Sequence, residues 1–480
     1  MDMRPIFYVI GILLLILAGG MVLPMATDWV AGNDDWRVFL TSILATGFIG
    51  GTMVLTNAGR GFTITLKQTF LLTTISWLFL AFFAALPFAF SALDMNFVDA
   101  LFEAVSGLTT TGATVIVGLD TAPPGILLWR ALLQWMGGIG IIVMALSVLP
   151  MLKVGGMQLF RSESSEKEKA FPRARQLASG IGILYLCLTA ACTAGYIATG
   201  MGPFDAVAHA MTTIATGGFS TFDTSFSHHA GPGTEIVAII FMLMSALPFV
   251  LYLKAVRGAP ELLWRDSQVR VFLGLVAACS ITLALYLMHA SDLGTGESLR
   301  RAAFNVTSII TGTGYVNHNY DTWGAFPVGL LLFLMVMGGC VGSTTCGIKI
   351  FRFQILASVA YAQTKQLIYP NAVAPPRFNG KIIQADIVTS VMSFFFIFAL
   401  CFAVIAIALS ATGLDFITSV SGAASAISNV GPGLGDTIGA IHSYKLIPDT
   451  AKLILCAGMI LGRLELFTVL VLFLPSFWRS

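Results

Sequence analysis

Four short stretches carry the residue types that could take the place of water around a cation. The first starts at Asp99 and ends Leu-Thr-Thr-Thr-Gly112-Ala-Thr. The second starts at Asp205 and ends Thr-Thr-Ile-Ala-Thr-Gly217-Gly-Phe-Ser. The third runs from Glu297 through Asn305 to Ile-Ile-Thr-Gly312-Thr-Gly-Tyr, and the fourth from Asp415 through Ser425 to Ile-Ser-Asn-Val-Gly431-Pro-Gly. Each opens with an acid, continues as a helix-compatible stretch, and ends in hydroxyl or amide residues before a glycine. A dehydrated ion needs substitute oxygens, and rings of backbone carbonyls supply them. Glycine allows the backbone conformations that aim those carbonyls at one axis. One strand cannot surround an ion, whereas four can. Ordinary outer loops rich in Thr and Gly would explain one such stretch but not four of the same design.

Two further features bear on ion passage. The apolar run Ala325–Ile348 is interrupted by Gly338-Gly-Cys-Val-Gly-Ser-Thr-Thr-Cys-Gly347, whose small residues disfavour a continuous helix. Such a stretch is either a packing face between helices or an intramembrane loop just below the carbonyl ring. The loop reading is preferred, because small residues let backbone approach the axis and move. Arg463 lies about 15 Å into the last apolar run by helical rise. A charge at that depth is a functional candidate by default. It either ties helices together through carbonyls or faces the cavity beside the 338–347 stretch, raises the barrier to cations and holds the loop shut.

These groups need elements to position them. An acid at the start suits the N-terminal turn of a helix. The negative C-terminal end of that half-helix then favours a cation at the membrane centre. Non-helical backbone at that depth must be buried or line an aqueous cavity. The unit is therefore span, short re-entrant helix, Gly-containing strand, span. Ten candidate spans frame it: Pro5–Met25, Val38–Gly59, Gln68–Leu93, Gly125–Leu152, Leu177–Gly200, Ile236–Leu253, Val271–Met288, Ala325–Ile348, Ile387–Leu414 and Leu453–Trp478. The first run exceeds the roughly 7–15 residue core of a signal peptide and is followed by a second span, so it is expected to be retained.

The expected fold is an all-α polytopic membrane protein. Four pseudo-symmetric helix–pore loop–helix repeats surround one pore, plus two N-terminal transmembrane helices. Residues 1–67 form the two-helix extension, and 68–153, 177–255, 270–352 and 383–480 form the repeats.

Composition agrees. Hydrophobic residues make up 56% of the chain and charged residues 10%, far below the roughly 25% charged of a soluble protein, so the lipid bilayer is its solvent. The formal net charge of +2 gives no reason to expect nucleic acid. With the N-terminus in the cytoplasm, Arg4, Arg60, Lys67, the runs Lys153–Arg175, Lys254–Arg270 and Lys349–Lys381, and Arg479 fall on the cytoplasmic side. Only Arg37, Arg130, Arg300, Arg301, Lys445 and Lys452 fall outside. The charged stretch Arg161–Lys169 reads as a solvated linker or a docking site. The seven cysteines, Cys340 and Cys346 included, read as small apolar packers, and His209 reads as a packing or hydrogen-bonding histidine.

At Thr109–Thr114, Ala215–Ser220, Ile310–Tyr315 and Asn429–Gly433, with Gly338–Lys349 and Gly462-Arg463-Leu-Glu465, the sequence resembles the superfamily of potassium transporters that includes the TrkH, KtrB, plant HKT and fungal Trk proteins. The likeness covers essentially the whole chain, and the two extra N-terminal spans make it more similar to the TrkH branch. It implies potassium as the transported ion, no cofactor in this chain, a homodimer, and a separate cytoplasmic nucleotide-binding regulator of the TrkA type. It also implies a multi-pass bacterial inner-membrane location. The filter strands it implies are Thr109, Thr110, Thr111 and Gly112; Ile214, Ala215, Thr216 and Gly217; Ile309, Ile310, Thr311 and Gly312; and Ser428, Asn429, Val430 and Gly431. Serine at the first filter glycine accompanies sodium preference in the plant relatives, and all four positions here are glycine. The implied gate comprises Gly338, Gly339, Gly342, Ser343, Thr344, Thr345, Gly347 and Arg463.

Two other readings remain open. One is a sodium- or proton-coupled, or less selective, monovalent-cation transporter, with Glu103 and Glu465 as the acids that could couple. The other is a membrane-embedded enzyme, which would need clustered His, Asp, Cys or Ser in facing spans; the sequence has no HExxH and no nucleophile with a base.

Overall fold

A computed structural model describes residues 2–59, 65–147, 170–291, 293–371 and 373–479. The charged stretch Arg161–Lys169 lies outside the described residues.

The N-terminal extension is a helical hairpin. Arg4–Ala31 forms one nearly continuous span and Trp36–Asn57 the second. They meet at two glycines. A Cβ on Gly11 would lie 2.8 Å from the Gly50 carbonyl oxygen, and one on Gly50 would lie 3.0 Å from that of Gly11. Small residues allow this backbone approach in lipid, where dispersion replaces the hydrophobic drive.

Four repeats follow. Their outer helices are Leu66–Phe90, Ala170–Ala198, Ser267–Ala290 and Ala385–Ser410. Their short re-entrant helices, called pore helices below, are Phe97–Leu108, Pro203–Ile214, Thr295–Ile310 and Phe416–Ser428. Burial separates the outer ring from the inner one: most of Ala385–Ser410 lies on the surface, whereas most of the inner helix Pro124–Ile142 is buried.

Three inner helices are not the straight spans expected from hydropathy. Pro232–Ser245 turns by 93° into Phe249–Val256, with Pro248 in the break. Proline cannot donate the bond that would continue the helix. Asp449–Arg463 turns by 106° into Phe467–Phe473, where Glu465 adopts φ +58°. Ala325–Val336 stops, and helix resumes only at Ile350–Ile368. Arg463 therefore ends a helix rather than sitting within one. The stretch Lys349–Lys381, expected as a cytoplasmic segment, begins with a buried lysine and a long helix.

The acids that open the pore segments do not share one role. Asp415 is the N-cap of its helix and accepts from the Thr418 N–H at 3.2 Å. Hydrogen bonds from Thr418 hold its carboxyl below the ordinary value. In the first segment the cap is Asn96, and Asp99 sits in the first turn. There it takes Lys452 at 2.6 Å and Lys445 at 3.1 Å. Glu103 pairs with Arg130 at 2.7 Å, and Glu235 with Arg300 at 2.7 Å. Arg130 and Lys452, expected on the outer side, are thus buried cations that join pore helices to inner helices.

Candidate ion pathway

Each pore helix ends in the same backbone device. A residue in left-handed conformation follows the last turn: Thr110 (φ 52°), Thr216 (51°), Gly312 (70°) and Asn429 (54°). The next residue's N–H reaches back five positions. Thr111 bonds the Ser106 carbonyl at 2.9 Å, Gly217 that of Thr212 at 2.9 Å, Thr313 that of Ser308 at 2.9 Å, and Val430 that of Ser425 at 3.0 Å. This is the Schellman ending, which reverses the chain sharply. Glycine is the usual occupant of the left-handed position, so threonine there is strained by roughly 1–2 kcal/mol. Such strain persists where the surroundings over-determine it and gathers at functional sites.

The backbone then enters a second left-handed residue, always glycine: Gly112 (85°), Gly218 (76°), Gly314 (75°) and Gly431 (107°). These glycines close a ring. A Cβ on Gly112 would overlap the carbonyl oxygen of Gly217. One on Gly218 would overlap that of Thr313, one on Gly314 that of Val430, and one on Gly431 would lie 2.6 Å from that of Thr111. Each strand touches the next around the circuit, and the fourth returns to the first. All four glycines line one open cavity together with Arg130 and Tyr444.

The ring sets a register that differs from the one read from sequence. The equivalent quartets are 109–112, 215–218, 311–314 and 428–431. The first and last match the expected strands. The second is displaced by one residue and the third by two, so Ile214, Ile309 and Ile310 belong to the last turns of their pore helices. Gly217 and Gly312 are not the counterparts of Gly112; Gly218 and Gly314 are. The spacing held this signal for the second repeat, since Gly218 follows Asp205 by the same interval as Gly112 follows Asp99. The third repeat has a longer pore helix, so counting from its acid gives no guide.

The fourfold likeness is partial. Thr109 and Thr111 share a hydroxyl bond of 2.7 Å, and their counterparts Thr311 and Thr313 share one of 2.8 Å. The second and fourth strands have no such pair. Instead Asn429 donates to the Thr111 hydroxyl and to the Met459 carbonyl, both at 2.9 Å. The Tyr444 hydroxyl donates to the Gly431 carbonyl at 2.8 Å.

Below the ring lies the loop 337–349. Gly338 donates to the Ile348 carbonyl at 2.9 Å and Ile348 to that of Val336 at 3.0 Å, closing the loop at its neck. A Cβ on Gly338 would overlap the Cys346 carbonyl. The loop's far side binds the break in the second repeat: Cys340 donates to the Ala246 carbonyl at 3.0 Å and Phe249 to that of Gly342 at 2.9 Å. Ser343 and Thr345 share a hydroxyl bond of 2.8 Å, and Thr345 accepts from the Gly339 N–H at 3.1 Å. The loop touches the ring strands directly, through Thr216 Oγ1 and Thr344 Oγ1 at 3.2 Å.

Arg463 is 2% exposed. Its Nη1 donates to the Thr344 carbonyl at 3.3 Å and to Cys346 Sγ, and its Nη2 to the Gly137 carbonyl at 3.0 Å. Cys346 is thus a polar partner, not only a packer. Lys349 lines the same small cavity and donates to the Thr345 carbonyl and, at 3.0 Å, to its hydroxyl. Glu465 also lines it and pairs with Arg352 at 2.6 Å. Two cations and one already paired acid surround this cavity, which makes it unfavourable to a passing cation. The sequence reading named Lys349 only as the end of the Gly338–Lys349 stretch, gave it no role, and did not single out Arg352. Their position beside the glycine-rich break, in a chain with few charges, was the available signal.

His209 is buried and hydrogen-bonded, Nδ1 to the Asp205 carbonyl at 2.9 Å and Nε2 to Ser220 Oγ at 3.1 Å. Its ring ties the second pore helix to the strand that leaves it.

A family model described as TrkH, cation transport protein, matches residues 36–480. The chain belongs to this family. It is 42% identical to the Trk system potassium uptake protein TrkI of Halomonas elongata, covering 99% of this chain and 97% of that one. It is 36% identical to the Trk system potassium uptake protein TrkH of Escherichia coli K12, over 100% of both. The crystal structure of the potassium transporter TrkH from Vibrio parahaemolyticus matches with a TM-score of 0.92 at 34% identity, covering 100% of each chain. TrkH-family membership accords with the four repeats and the two-helix extension.

Proposed function

We propose that this TrkH-family chain carries potassium across the bacterial inner membrane through a carbonyl-lined filter. The filter is formed by 109–112, 215–218, 311–314 and 428–431, and the 337–349 loop with Arg463 gates it. The observation that carries this reading is the closed circuit of four glycine strands, each in contact with the next. Potassium as the ion rests on the names of the relatives and on glycine at all four ring positions.

The gate reading rests on Arg463, which bridges the loop at Thr344 and Cys346 to the first inner helix at Gly137. The cytoplasmic N-terminus, a homodimer and a separate TrkA-type nucleotide-binding regulator belong to the same proposal. Coupled symport finds less support: Glu103 and Glu465, the acids that could couple, are ion-paired with Arg130 and Arg352.

The test is rubidium uptake into proteoliposomes holding the purified chain, with potassium or sodium as competitor. Block by potassium and not by sodium supports the filter. Equal competition would reduce the assignment to a monovalent-cation pathway.

A further inference from the structure

Gln134 sits on the first inner helix, fully buried, and belongs to none of the groups described above. Its side-chain Nε2 donates to the Gly217 carbonyl at 2.7 Å, and its Oε1 accepts from the Phe219 N–H at 3.1 Å. The orientation of the amide follows from its partners, because a carbonyl can only accept and a backbone N–H can only donate. The two bonds straddle Gly218, the ring glycine of the second strand. The same Nε2 lies 3.7 Å from where a Cβ on Gly112 would be. Gln134 therefore occupies the corner where the first and second strands meet.

Its neighbour one turn away extends the grip. Arg130 donates from Nη1 to the Ser220 carbonyl at 2.6 Å and lies over the Phe219 ring at 4.1 Å. The inner helix of the first repeat thus holds the second repeat's strand at the Gly217 carbonyl, the Phe219 N–H and the Ser220 carbonyl. The fourth repeat solves the problem differently. Gly137 and Gly462 are equivalent, since a Cβ on either would overlap a carbonyl in the last turn of its pore helix, Leu108 or Ile427. Three residues before Gly462 stands Met459, where the first repeat has Gln134. Met459 offers only its backbone carbonyl, to Asn429.

We infer that Gln134 is a positioning residue for the filter: its amide fixes the direction of the Gly217 carbonyl and the path of the strand on both sides of Gly218, and so sets ion discrimination. The inference rests on the filter reading above. A carbonyl oxygen has two lone pairs, so the amide bond leaves one for an ion. The strand includes left-handed Thr216, a strained conformation that persists only where its surroundings hold it. Selectivity at a carbonyl site depends on the placement and flexibility of its dipoles.

The experiment compares wild type, Gln134→Met and Gln134→Glu by rubidium uptake into proteoliposomes. It reads the sodium and potassium concentrations that give half-inhibition, alongside thermal melting in detergent. Gln134→Met fills the same space with the residue type found in the fourth repeat, but makes neither bond. Its sodium-to-potassium half-inhibition ratio is expected to fall at least tenfold while uptake persists. Gln134→Glu keeps the acceptor for Phe219 and loses the donor to Gly217, so its ratio should fall between. A wild-type ratio in a folded Gln134→Met protein overturns the inference and leaves the filter reading intact. If Gln134→Met does not fold, an unchanged ratio in Gln134→Glu overturns it equally. Absence of discrimination in the wild type itself sinks the filter reading and this inference with it.

Discussion

Arg352 Nη2 lies 2.6 Å from Glu465 Oε2, and this pair joins the helix that leaves the intramembrane loop to the bend of the last inner helix. The guanidinium also stacks over Phe394 at 3.8 Å. Arg352 is fully buried. Removing one partner of a buried pair costs about 3–5 kcal/mol, because the charge that stays loses the attraction that offset its desolvation. Glu465→Ala should lower the melting temperature markedly. The double variant Arg352→Ala with Glu465→Ala should lose less than the sum of the singles. Additive melts in a double-mutant cycle would show that the pair contributes no coupling.

Arg463 holds Thr344, Cys346 and Gly137 together beneath the ring. Arg463→Ala removes these bonds and a cation from the cavity, so basal rubidium flux should rise. Arg463→Lys keeps the charge without the planar fork that reaches partners on two sides, and its flux should lie between. Unchanged basal flux at normal expression of Arg463→Ala would remove the gating role.

The register of the third strand separates two neighbouring glycines. Gly312 occupies the position that holds Thr110, Thr216 and Asn429 elsewhere, and a Cβ there meets nothing closer than 3.3 Å. Gly312→Asn should therefore keep most uptake. Gly314→Ala would drive its Cβ into the Val430 carbonyl and should abolish uptake or selectivity. The reverse ranking, measured by rubidium uptake with sodium competition, would restore the register read from sequence.

Glu103 accepts from Arg130, from the Thr114 hydroxyl at 3.0 Å and from the Val115 N–H at 3.0 Å. Glu103→Ala leaves a buried guanidinium and two unpaired donors, and should cost several kcal/mol by the same reasoning as for other buried pairs. Glu103→Gln can keep part of the network, so it should melt closer to wild type. If Glu103 served as a coupling acid instead, Glu103→Gln would fold normally and lose only the dependence of uptake on a sodium or proton gradient.

Much of the architecture is written in local patterns. Apolar runs long enough to span lipid, bracketing stretches that start with an acid and end in hydroxyl and glycine, point to a polytopic plan of four repeats, although among the described residues seven helices are long and apolar enough to cross a membrane, or nine if each bent pair is one span. Arg463 stands out because a lone charge in an apolar run is costly. Such signals survive because hydropathy and helix geometry act over a few turns of chain.

The tertiary structure decided what depends on residues distant in sequence. Gly314 becomes a ring position because it meets Val430, and Gly218 because it meets Thr313; the hydroxyls around Gly312 only imitate the pattern. The breaks at Pro248 and Glu465 arise where inner helices meet the loop, and hydropathy does not register a change of direction. The charges found partners that proximity in sequence could not assign: Arg130 with Glu103, Lys452 with Asp99, Arg352 with Glu465. A buried ion or a carbonyl ring is stabilised by geometry across the fold, and that geometry exists only once the four repeats have closed on one another.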